Sequence, residues 1–220
     1  MKFISRFLFF LPVLFCCTSC IELIEEVSLK ATGSGTYRLT LNMSQSKTKL
    51  STLIKLDTVD GVKVPKISRI NELLDELKSV LSNTKGISNV QISRDHENFI
   101  YEVSFHFENT DLLDKAVKST IRTFDKKNRI PDVSNFYYDN ITFKRYSYED
   151  YQQINVRQKE RFNELLTKST FTGIYKFEKP VKTSSNPNSK ISKSKTAVFF
   201  QSNFMDLMNK QKSYANTIKF

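Results

Sequence analysis

Tryptophan is absent from the 220 residues, glycine and proline number five each, histidine two, and the three cysteines all fall within Cys16–Cys20. So little glycine and proline excludes a collagen-like or Pro/Gly-rich low-complexity chain. With no cysteine after Cys20, residues 21–220 have neither a disulfide nor a thiolate metal site. His96 and His106, the only imidazoles, are ten residues apart. Along a strand rising about 3.3 Å per residue they lie roughly 30 Å apart and cannot share an ion. Phosphate-cradling glycine loops are missing as well, since Gly33-Ser34-Gly35 continues into neither G-x-G-x-x-G nor G-K-[ST]. Thr32 and Thr36 occupy the places where a nucleophile elbow around Ser34 needs glycine. The expectation is therefore a non-enzymatic protein with no cofactor and no metal. His96, flanked by Asp95 and Glu97, reads as a turn residue, and Glu25-Glu26 and Glu149-Asp150 offer no pairing across a cleft. A hydrolase working through two carboxylates is kept as an alternative.

What is present is ordinary globular material, 39% hydrophobic, 26% charged and 12% aromatic, with 34 Lys and Arg against 23 Asp and Glu for a net +11. The compartment decides what that charge means. Lys2 and Arg6 precede Phe7–Phe15, nine residues without a polar side chain and with Pro12 among them. This is an n-region and an h-region, too short for the roughly 20 apolar residues that a bilayer-spanning helix needs. Cys17-Thr18-Ser19-Cys20 also spells C-x-x-C, but it closes a signal core and does not open a helix of a βαβ unit.

The segment resembles a bacterial lipoprotein signal peptide, with Ser19 and Cys20 as the last two lipobox positions. Cys17 stands where leucine is usual, a looseness similar to lipoproteins of the Bacteroidota and spirochaetes. The resemblance implies cleavage between Ser19 and Cys20, removal of residues 1–19 and acylation of Cys20 by palmitate-type chains. A mature chain over 20–220 loses Lys2 and Arg6 and no acid, so its charge is +9. Each buried methylene adds about 0.8 kcal/mol of anchoring, so several chains hold the protein permanently at its membrane. The expected partners are that membrane, an anionic lipid or glycan surface and an unidentified envelope protein, with no nucleic acid; the outer membrane is expected over the inner.

Beyond the anchor, Leu23, Glu25, Val27 and Leu29 alternate with Ile24, Glu26, Ser28 and Lys30. Thr32–Gly35 then turns the chain into Tyr37, Leu39, Leu41 and Met43, two apart, which predicts a hairpin. The glutamates of Glu22–Glu26 read as the solvent side of this first strand; acidic residues so close behind the cysteine also resemble a Bacteroidota surface-export signal. Val90 and Ile92 lead through a turn into Phe99, Tyr101, Val103, Phe105 and Phe107, a second hairpin with Glu102, Ser104, His106 and Glu108 outward. Ile67, Ile70, Leu73, Leu74, Leu77 and Leu81 predict a helix capped by Ser68, and Leu113, Ala116, Val117, Thr120, Ile121 and Phe124 one capped by Thr110. Leu50, Leu53 and Ile54 suggest a shorter helix within 44–56, before a loop at Asp57–Pro65.

A connector spans 126–132, followed by an aromatic strand from Phe136 to Tyr146, a helix over 148–167, a strand at Phe171–Phe177 and an exposed loop at Lys182–Lys195. Thr196–Gln201 reads as strand, Asn203–Lys212 as a short helix and Thr217–Phe220 as a final strand. The fold expected is α+β, a mostly antiparallel sheet of hairpins with amphipathic helices packed on one face. A subdivision near 125–135, giving two lobes, is the alternative.

The lysines around 176–195 suit either a soluble loop or an anionic surface. Phe136, Tyr138 and Tyr146 belong to a dense aromatic stretch that reads as core or as an apolar ligand groove. Glu26–Lys30 and Gly33–Ser44 resemble the opening hairpin of uncharacterised Bacteroidota lipoproteins and, more distantly, the LppM-like lipoprotein domain, which implies an α+β fold and lipid-related binding. An anchored binding or envelope-organising module is the reading the signal and the missing motifs support, with a carrier or sensor of an amphipathic ligand as its rival.

Overall fold

A computed structural model describes residues 21–59, 61–124, 134–147 and 167–220. Ser19 and Cys20, the connector and the helix expected over 148–167 lie largely or wholly outside them. Strand β1 (Ile21–Leu29) pairs with β2 (Gly35–Asn42) in the expected hairpin, Val27 opposite Tyr37. Gly33, at φ +88°, makes the turn with a conformation side chains avoid. A 3-10 turn at Ser44–Ser46 and helix α1 (Lys47–Leu53) follow. The expected loop at 57–65 contains a two-residue ribbon, β3 (Thr58–Val59) with β4 (Val62–Lys63).

Helix α2 (Ile67–Ser82) has the expected apolar stripe, with Leu74, Leu77 and Leu81 buried, but Ser68 lies inside it and Lys66 occupies the capping position without a side-chain bond. The second hairpin is β5 (Ile87–Asp95) with β6 (Ile100–Phe107), whose Phe99, Tyr101, Val103, Phe105 and Phe107 are all buried. Ser104, expected to face water, is also buried. Helix α3 (Thr110–Phe124) is capped by Asn109, whose Oδ1 accepts from the Leu112 amide at 3.0 Å, while Thr110 is buried.

The aromatic stretch is itself a hairpin, β7 (Phe136–Tyr138) and β8 (Thr142–Arg145), because Asp139 Oδ1 accepts from the Ile141 and Thr142 amides and bends the chain back. Strand β9 (Ser169–Phe177) is followed by β10 (Thr183–Ser184) and β11 (Ser189–Ile191) inside the segment expected to be loop. Strand β12 (Ala197–Asn203), helix α4 (Phe204–Met208) and β13 (Asn216–Lys219) complete the described chain.

Seven strands form one sheet in the order β11-β12-β9-β1-β2-β6-β5. Its pairs are antiparallel except β1 with β9, which run parallel with Ile21 beside Ser169 and Leu29 beside Phe177. Strands β10-β13-β8-β7 form a second sheet. The α+β architecture is as read from the sequence; the parallel pair and the second sheet are additions. Val27, Tyr37, Phe105 and Tyr175 from one face of the large sheet share a core with Leu77 and Leu81 of α2, Leu113 and Val117 of α3, and Phe136, Phe143 and Ile218 of the small sheet. Helices and small sheet thus divide the covering of one face, and the space that the described residues leave between them is the site.

Candidate functional site

Alternation along β1 puts Leu23 and Glu25 on the covered face, and the strand order brings Leu39 of β2 and Phe171 of β9 alongside. Above these residues lies a cavity of about 600 Å³. Val117 and Ile121 of α3 form one wall, and Phe204, Leu207 and Met208 of α4 another. The turn after α4 contributes Lys210, Lys212, Ser213 and Tyr214. Volumes of about 300–1,000 Å³, largely apolar with a few placed polar groups, are typical of small-molecule sites.

The polar end is built around Glu25, only 3% exposed. The sequence pattern assigns the glutamates of Glu22–Glu26 to the solvent side; Glu25 instead shares the inner face with Val27 and Leu29. What permits its burial is Arg145, at the end of β8, which grips it in a fork with Nε to Oε1 at 2.8 Å and Nη2 to Oε2 at 2.9 Å. Arg145 Nη1 donates to the Tyr146 carbonyl at 2.7 Å, and its guanidinium lies 4.6 Å from the Phe136 ring centroid and 4.9 Å from that of Tyr214. Tyr175 donates to Glu25 Oε1 at 3.0 Å, and Tyr37 reaches Oε2 at 3.5 Å. Gly173 sits beside Glu25 across the β1–β9 pair, and a Cβ there would come 2.7 Å from the Tyr175 hydroxyl, so the glycine gives the tyrosine its path.

Burial, reinforced by the Glu25 charge, raises the Tyr37 and Tyr175 hydroxyls well above the usual phenol value. Burial is the largest influence and opposes the Arg145 charge, but attraction to and hydrogen bonding with Glu25, together with Tyr175 and Tyr214, outweigh it and the guanidinium is held protonated. Both Glu25 oxygens are thus occupied, and the cluster acts as a neutral polar plug. Asn135 lines the cavity next to it, with its amide nitrogen and backbone N–H both on Asp114 Oδ1. Its buried Oδ1, closed off from solvent, accepts from no donor among the described residues.

The three aromatic residues singled out from the sequence do not converge on a groove. Phe136 is 1% exposed, packed under the Arg145 guanidinium and edge-on to Tyr37. Tyr138 is half-buried near the opposite end of β1, donating to the Ala31 carbonyl. Tyr146 is exposed. None of them lines this cavity, whose wall residues carry only the common alternation and helix patterns of core positions. Glu25 among Leu23, Val27 and Leu29 is the one signal in the sequence, a charged residue in register with a buried face. His96, in the β5–β6 turn, lies 3.2 Å from the Tyr101 hydroxyl, while His106 is exposed at the far end of β6 near Asn89. Among the described residues no three potential ligands gather for a metal ion, and no helix is long and apolar enough to cross a membrane.

The chain is similar to the folded domain of the Mycobacterium tuberculosis LppM protein, solved by NMR. The likeness spans 92% of this chain and 90% of that domain, at 8% identity and a TM-score of 0.47. No family model and no curated protein matches the sequence.

Proposed function

We propose that this protein is a lipoprotein of the bacterial cell envelope, held at its membrane through acylated Cys20, that binds an amphipathic lipid-like molecule without chemically altering it. The observation that carries the reading is the cavity of about 600 Å³ between β1, β2, β9, α3 and α4. Its apolar stretch suits a hydrocarbon chain, and burying each methylene there is worth about 0.8 kcal/mol. The exposed Lys210 and Ser213 in its lining suit the polar part of such a molecule. A catalytic role gains no support from Glu25, because a general acid or base needs a free proton site and this carboxylate already accepts from Arg145 and Tyr175. The anchor reading rests on Lys2 to Cys20, and the outer membrane on the similarity of that segment to Bacteroidota signals.

Leu39→Trp places an indole in the cavity, next to Glu25 across the β1–β2 pair. The full chain, expressed with its signal and examined by native mass spectrometry, is expected to carry a lipid-sized adduct that the variant lacks while keeping the wild-type circular dichroism. A bare wild-type protein from several membrane extracts would contradict the binding reading. An unacylated Cys20 would contradict the anchor.

A further inference from the structure

Resting on the anchor reading above, the strand registers carry a consequence for orientation. Ile21, the first residue of β1, directly follows Cys20, so no spacer separates the anchor from the sheet. Parallel pairing sets Ile21 beside Ser169, and β12 runs back so that Asn203 pairs with Thr170 at the same end. Helix α4 begins at the next residue. On the other side of β1, Glu22 pairs with Asn42, so the chain leaves β2 into α1 at this end too. The anchor point therefore emerges between α4 and α1, within a few strand spacings of about 4.8 Å of each.

Both flanks combine apolar and basic groups. Phe204, Met205, Leu207 and Met208 are four of the five residues of α4, all only half-buried, and Lys210 follows exposed. Below α1, Leu56 is 45% exposed, and Lys49 and Lys55 are exposed nearby. Among the described residues of this end, Asp57, Glu97 and Asp206 are matched by Lys66, Lys47 and Lys212, while Glu22 and Asp95 bond to the neutral Asn42 and Asn98, so the exposed Lys49, Lys55 and Lys210 leave it modestly basic. At the other end of the sheet, the Tyr138 hydroxyl donates to Ala31 and fixes the β7–β8 turn beside the β1–β2 turn, with Ile141 66% exposed at its tip. Nine strand residues, about 30 Å, separate the two ends.

We infer that the end of the sheet bearing α4 and Leu56 rests on an anionic bilayer, with α4 in the interface as the membrane-side wall of the cavity, so that a lipid passes between leaflet and cavity past α4. Half-buried apolar side chains flanked by lysines are what an interfacial helix presents to anionic lipid. Phe204, Leu207 and Met208 then serve two surfaces, the cavity inside and the acyl chains outside, for which the pliant methionine is suited.

The lack of native tryptophan makes the test clean. Single tryptophans are placed at Met205, at Leu56 and, as a distal control, at Ile141, in the full acylated chain reconstituted into vesicles containing anionic and brominated lipids. Met205 and Leu56 do not line the cavity, so their variants keep its lining intact. Met205→Trp and Leu56→Trp are expected to be quenched severalfold more than Ile141→Trp, and Lys210→Glu is expected to weaken the quenching of Met205→Trp. Equal quenching at all three sites, or none at the first two on a protein whose mass confirms acylation, overturns the orientation and leaves the binding reading intact. A mass without acyl chains removes the anchor reading and the orientation with it. A lipid adduct missing by native mass spectrometry, with quenching as expected, fails the binding reading alone.

Discussion

At the scale of single residues, the costliest position is Glu25. A carboxylate 3% exposed in the middle of the central strand is tolerated because Arg145 and two phenols reach it from β8, β2 and β9. Removing one partner leaves an unpaired buried charge, so Arg145→Met is expected to destabilise the protein by about 3–5 kcal/mol in urea unfolding. Tyr175→Phe, which deletes one hydrogen bond to a charged acceptor, should cost about 1.5–3 kcal/mol. Gly173→Ala should resemble the Tyr175 variant, because its methyl group displaces the hydroxyl from Glu25.

The same cluster sets an alkaline limit. Tyr37 and Tyr175 have folded-state pKa values raised above 10.0, first by burial and then by Glu25, and unfolding returns them to the ordinary value. Above pH 10 the folded chain keeps protons that the unfolded chain loses, so their contribution is complete below pH 10 and declines as the pH rises beyond it. Alkaline denaturation followed by phenolate absorbance should show part of the tyrosine signal appearing only together with loss of circular dichroism. A smooth titration of all nine tyrosines in a folded protein would contradict the burial.

At the scale of elements, α4 is the piece with the least intrinsic support, since five residues are well below the length at which a helix persists alone. It is held by Asn203, whose side chain accepts from the Met205 amide at 2.7 Å, and by packing against β9 and β12. Asn203→Ala should cost about 1 kcal/mol and speed hydrogen exchange in 204–209 more than in β9. The elements most legible in the sequence are those that bury a full face, β1–β2, β5–β6, α2 and α3, with β9 and β12 also read as strands, because period-2 and period-3.6 patterns follow from one-sided burial. The helix caps are less legible because Ser68 and Thr110 are good capping types in the wrong place, while Asn109 makes the capping bond one residue earlier than Thr110. Of the small sheet, β13 and the strand character of 136–146 are legible, but β10 and the turn at Asp139–Asn140 are not, because the strands are two to four residues long and aromatics lie on both sides of the turn. The cavity is invisible for a different reason, as no local pattern records the space that the described residues leave between α3, α4 and the large sheet.

At the scale of the whole molecule, an α+β sheet covered on one face, a cavity in that cover and an N-terminal segment that resembles a lipoprotein signal are what the proposal of an anchored lipid-binding protein rests on. The proposed attachment at Cys20 and the cavity lie at the same end of β1, with Leu23 only three residues beyond Cys20. Replacing Cys20 by alanine should release the protein from the membrane fraction without altering thermal unfolding of the folded part, measured by circular dichroism. The most direct test of the central claim is native mass spectrometry of the full chain extracted from bacterial membranes, beside Leu39→Trp. The account requires a reproducible adduct of lipid mass on the wild type and its loss from the variant. A wild-type protein that is bare under every extraction, or an adduct that persists when the indole fills the cavity, would contradict it.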